Sequence, residues 1–85
     1  MDVKTRVAIL SSVLALGAFI AEEVPLEAKE AFKTRVTMEE VNKVISGLIE
    51  EGILKEKKAE VGPPEYLYVA KPTDLLNKIE YAVLQ

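Results

Sequence analysis

At 85 residues the chain is long enough for one small domain, which buries only about 60–65% of the surface that it exposes unfolded. Its 49% apolar content is too high for a disordered chain, and 11 basic against 14 acidic residues, interleaved to a net charge of −3, suit a charged, solvated surface. Neither cysteine nor histidine occurs, which excludes disulfides, thiolate and imidazole metal sites and the usual general base. Carboxylates remain, but Glu22-Glu23, Glu39-Glu40 and Glu50-Glu51 are sequence neighbours, and neighbours on a helix diverge by about 100°. No convergent acid and base can be named, so the expectation is a non-enzymatic domain without catalytic residues, metal or cofactor. Abundant Glu and Lys with little Asn and Gln lean toward a thermophilic source.

The first element is an apolar run, Val7–Ala21, preceded by Lys4 and Arg6. Fifteen helical residues span about 22 Å, short of the roughly 30 Å of a bilayer core, and Glu22-Glu23 close the run abruptly. A signal peptide cleaved near Ala15-Leu16-Gly17 is the competing reading. The expectation is a buried first helix over about residues 3–21, with Val7, Leu10, Val13, Leu14, Leu16, Phe19 and Ile20 on its apolar stripe, in a cytoplasmic protein without a membrane span.

Pro25 suits the first turn of a second helix, drawn from Pro25 to Lys33. Thr37 stands three residues before Glu40, the spacing of a capping box, and starts a third helix over residues 38–51. Met38, Val41, Val44, Ile45, Leu48 and Ile49 form its buried face, and Gly52 is placed to end it in a left-handed turn. Two strands joined by the "GPPE" loop follow as a hairpin over residues 53–70, with Leu67 and Val69 alternating against Tyr66 and Tyr68. A fourth helix over residues 73–84 carries Leu75, Leu76, Ile79, Ala82 and Val83 along one side.

Three helices, a two-stranded hairpin and a closing helix, with "TMEEVNKVISGLIEEGIL" and "EYLYVAKPTDLL" as the most specific stretches, resemble the winged helix-turn-helix domain over nearly the whole chain. The stretches look like the recognition helix, wing exit and returning strand of small repressors of the arsenical-resistance and multiple-antibiotic-resistance kinds. The resemblance implies a mainly α fold in which Pro25–Lys33 is the positioning helix, Lys33–Thr37 the turn, Met38–Glu51 the recognition helix and Lys57–Glu65 the wing. It also implies binding to double-stranded DNA and transcriptional regulation.

The outermost stripe of the third helix is Glu39, Lys43, Ser46 and Glu50, with Asn42 and Gly47 beside it. Asn42 can address adenine, Lys43 guanine, Ser46 either and Glu39 cytosine, so Glu39, Asn42, Lys43 and Ser46 are the expected base-facing residues. A solvated face is the competing reading, since Glu39 precedes Lys43 by four residues, the favourable order for an intrahelical ion pair. Residues 37–52 hold four acids and one base, while acids and bases balance in each of the segments 1–36, 53–65 and 66–85. Phosphate contacts must therefore come from the flanks: Lys33, Thr34, Arg35 and Thr37 at the turn, and Lys55, Lys57 and Lys58 on the wing. The wing lysines would equally serve to protect a sheet edge from pairing. The apolar side of the last helix implies a homodimer through Leu75, Leu76, Ile79 and Val83. The alternative partner is a protein, with the acidic third helix docked on a basic surface.

Overall fold

The structure, a computed structural model, describes residues 1–68 and 72–84. Among these residues the order is α1 (Val3–Leu16), β1 (Phe19–Ile20), α2 (Glu23–Phe32), α3 (Met38–Glu50), β2 (Leu54–Lys57), β3 (Glu65–Tyr68) and α4 (Pro72–Leu84).

Helix α1 starts where the Asp2 carboxylate accepts the Thr5 amide at 2.8 Å. Ile9, Leu10 and Val13 are fully enclosed, and α1 packs against α2 on one side and α4 on another. Ser12 is enclosed as well, because its hydroxyl donates to the Ala8 carbonyl at 2.7 Å and so enters the core satisfied. The helix ends at Leu16, five residues earlier than the apolar run suggests. Gly17 takes φ 75° and ψ −80°, a conformation that strains any residue with a Cβ, and it turns the chain out of the helix. Phe19 and Ile20 then pair antiparallel with Tyr66 and Glu65 of β3. The sheet therefore has three strands, in the order β1-β3-β2, where the sequence suggested a two-stranded hairpin. The Phe19 ring lies 5.7 Å from the Tyr66 ring, and burial beside Glu56 and Glu22 pushes the Tyr66 phenol above its ordinary pKa.

Helix α2 begins at Glu23, whose carboxylate accepts the Ile20 amide at 2.9 Å, and Pro25 is its third residue, still in the first turn where no amide partner is needed. The helix stops at Phe32 because Lys33 adopts the left-handed conformation, φ 51° and ψ 37°. The turn into α3 thus does without the glycine that such a position favours.

The capping box is formed in both directions. Thr37 Oγ1 accepts the Glu40 amide at 3.2 Å, and the Glu40 carboxylate accepts the Thr37 amide at 2.9 Å. Val41, Val44, Ile45 and Leu48 are buried, Ile49 packs at the margin, and Met38 is partly exposed. At the other end Gly52 has φ 76°, and the Ile53 amide returns to the Leu48 carbonyl at 2.9 Å. Strand β2 follows and pairs antiparallel with β3, Leu54 opposite Tyr68 and Lys57 opposite Glu65. The expected hairpin extends into residues 69–70, and with Val69 that part lies outside the described residues. Helix α4 closes the fold by placing Leu75 and Ala82 on α1.

Replacing Thr37 with alanine removes the hydroxyl that accepts the Glu40 amide, and we expect a loss of about 1 kcal/mol. Urea denaturation of the pair of proteins measures it, and coincident midpoints would contradict the role given to the cap.

Candidate nucleic-acid interface

Because Val41, Val44, Ile45 and Leu48 fix one side of α3 in the core, helical geometry sends Glu39, Lys43, Ser46 and Glu50 to the opposite side, and all four are exposed. Asn42 is exposed beside them. The side chains are unspent: among the described residues no ion pair joins Glu39 to Lys43, although their spacing permits one. Thr37, Glu39, Glu40 and Lys43 instead line a shallow depression of about 300 Å³ with Met1. Glu39 and Glu40 stand in the first turn of α3, where the helix dipole favours them. They also set a negative potential where the free amides would otherwise attract a phosphate.

The flanking cations divide unevenly. Lys33 and Arg35 are exposed on the turn, and the Lys33 ammonium donates to the Glu30 carbonyl at 2.8 Å. Thr34 departs from its expected place on the phosphate-facing side. It is only 7% exposed, its amide donates to the Ala28 carbonyl at 3.0 Å and its hydroxyl to the Phe32 carbonyl at 2.9 Å. Both donors are consumed in closing the end of α2, so Thr34 has none left for a phosphate. Thr37 is exposed, but its hydroxyl belongs to the cap, bonded both to the Glu40 amide and to the Glu40 carboxylate. Lys55 and Lys57 alternate with Glu56 along β2, which puts the two lysines on one side of the strand, and Lys58 opens the loop to β3. Across the ladder Lys57 faces Glu65, which offsets part of its charge.

One cation that sequence reasoning did not single out is Lys29, which lines a depression of about 310 Å³ with Arg35, Val36 and Thr37, between α2 and the turn. Its spacing of four from Lys33, at the end of α2, was the available signal.

On α4, Leu75 was expected at a dimer interface. It is 0% exposed, packed against α1 within a single chain, and has no surface to offer a second copy. One residue along, 100° around the helix, Leu76 is 50% exposed, and Val83 is 59% exposed, with Ile79 half-buried between them. The Lys78 ammonium donates to the Glu51 carboxylate at 2.7 Å, tying α4 to the end of α3.

The order of helices, the three-stranded sheet and the loop between β2 and β3 define a winged helix-turn-helix fold. A solved chain with this architecture is that of the complex structure of hsRosR-S1, which superposes with a TM-score of 0.66 at 18% sequence identity over 92% of this chain and 70% of that one. No protein-family model matches the sequence, and no curated protein matches it.

Gly47 lies beside the exposed stripe of α3, and a Cβ built on it meets nothing within 4 Å. Intramolecular packing therefore does not require it, and a glycine inside a helix is less favourable than alanine by about 0.5–1 kcal/mol. Gly47→Ala is expected to stabilise the fold by that amount in thermal or urea denaturation. A destabilised variant would show that α3 is more tightly surrounded than described.

Proposed function

We propose that this protein binds double-stranded DNA through α3, and that it regulates transcription as a homodimer in the cytoplasm. The observation that carries the reading is the exposed stripe Glu39, Asn42, Lys43 and Ser46 on a helix held rigid by a reciprocal cap at one end and a glycine turn at the other. A pre-organised helix with hydrogen-bonding groups outward is what a major groove accepts, and the fold matches that of the hsRosR-S1 chain. No helix among the described residues is long and apolar enough to cross a membrane.

In this reading Asn42, Lys43 and Ser46 address base edges. Lys33 and Arg35 at the turn, and Lys55, Lys57 and Lys58 on the wing, hold phosphates, with Lys29 added to them on the flank of the turn. Glu39 works by discrimination: it accepts from a cytosine amino group where one is present, and repels the backbone elsewhere. The second reading, a protein-docking module, is favoured by the same charge, because residues 37–52 carry the whole net charge of −3.

A salt series separates them. Affinity for a mixed-sequence duplex, followed by fluorescence anisotropy between about 50 and 200 mM salt, should fall steeply, and Lys58→Ala or Arg35→Ala should each flatten the slope by roughly 0.9. Asn42→Ala should relax the preference at one base position by about 1–3 kcal/mol, while Glu39→Gln should raise affinity for all sequences. A protein without salt-sensitive affinity for any duplex, whose binding to a basic partner is lost in Glu39→Gln, is a docking module.

The dimer is supported by the stripe Leu76, Ile79 and Val83, whose three- and four-residue spacing is that of a seam between two helices. Sedimentation equilibrium should give a dimer that dissociates in the exposed-site variant Leu76→Glu/Val83→Glu. A monomer at every concentration in the unmutated protein would remove the homodimer from this account.

A further inference from the structure

The α3 stripe leaves unused a groove of about 510 Å³ between the start of α1 and the side of α4 turned away from Leu76 and Val83. Such a volume falls within the roughly 300–1,000 Å³ typical of small-molecule sites. Its apolar lining is Met1 and Val3 from the start of α1 and Tyr81, 68% exposed, from α4, with the buried Ala82 beneath. The three exposed side chains around one hollow form a small apolar patch on the surface.

The polar groups at its edge are unequal. Asp2 is occupied, because its carboxylate accepts the Thr5 amide, and that bond holds its pKa below the ordinary carboxylate value. Lys78 is partly occupied: its ammonium lies against both carboxylate oxygens of Glu51, which stands outside the groove, and at the groove's edge it contributes its remaining donor capacity and its charge. Arg6 is free. Among the described residues no carboxylate lies within ion-pair distance of its guanidinium, although Asp2 is one helical turn away. A planar fork of donors beside an apolar hollow, with a second cation opposite, is complementary to an amphipathic anion.

We propose that the groove between α1 and α4 binds a small aromatic or aliphatic anion, its charged head on Arg6 and Lys78 and its apolar body between Val3 and Tyr81. The site stands on its own geometry, whether or not α3 binds DNA. It is also connected to α3 in two ways, through the Lys78–Glu51 pair at the helix end and through Met1, which lines both this groove and the depression at Glu39 and Lys43. An occupant is thereby placed to act on the exposed helix.

The test uses two fluorescent probes of similar shape, the anion anilinonaphthalene sulfonate and the neutral phenylnaphthylamine, titrated into the 85-residue chain. The anion should saturate one site per chain and bind more tightly than the neutral probe. Arg6→Gln, at an exposed position that should leave the circular dichroism unchanged, should weaken the anion roughly tenfold, the scale of one charge-assisted hydrogen bond, and leave the neutral probe unaffected. Val61→Glu, which removes an apolar side chain 91% exposed and outside the groove, should change neither. Non-saturating binding, equal affinity for the two probes, an unchanged anion affinity in Arg6→Gln, or loss of the site in Val61→Glu would each overturn the proposal.

Discussion

The fold depends on the enclosure of α1. Ile9, Leu10 and Val13 have no solvent contact, and α2 and α4 are packed on the helix from two sides. A chain of 85 residues has one core to offer, and here the elements converge on that helix. The turn at Gly17 extends the same constraint into the sheet, because it delivers Phe19 to the ring of Tyr66 and joins the end of α1 to the strand that returns from the wing. Helix and wing are thereby parts of one packed unit rather than a bundle with a loose hairpin.

Given that core, α3 has little freedom. Its four buried residues dock it, its cap fixes where it starts, and Gly52 fixes where it ends, so the residues left outside are determined by helical period alone. Their chemistry is mixed in a way that carries information. A helix rich in glutamate is a poor generic ligand for a polyanion, so the proposed DNA binding requires that affinity come from cations around it while the helix discriminates. Just past the end of α3, the ion pair between Lys78 and Glu51 offsets part of the charge of one of the four acids of residues 37–52.

Where the sequence carried local, mechanistic signals, they were legible. The Thr37 and Glu40 spacing gave the start of α3, Gly52 its end, and the alternation of apolar positions its inner face, because each depends on neighbours within a few residues. Long-range effects were not legible. Gly17 was hidden inside an apolar run that reads as continuous helix, and only pairing with a strand more than forty residues away makes Phe19 and Ile20 extended. Thr34 looked like a free hydroxyl between two cations, but the left-handed backbone of Lys33 folds it under the end of α2. Leu75 and Leu76 are adjacent and alike, and periodicity alone could not say which of them meets α1. The groove at Arg6 joins the two ends of the chain, and no local pattern announces such a meeting.

The central claim is that the exposed stripe of α3, with the turn and the wing, is the surface that meets DNA. Amide chemical-shift mapping of the protein with a duplex at low salt tests it most directly, because it locates the contact without presupposing which side chains matter. The account predicts shifts concentrated at residues 33–46 and 55–62, with the Leu76 and Val83 side of α4 unperturbed. Shifts confined to α1 and α4, or none at all at protein and duplex concentrations that saturate a non-specific binder, would contradict it.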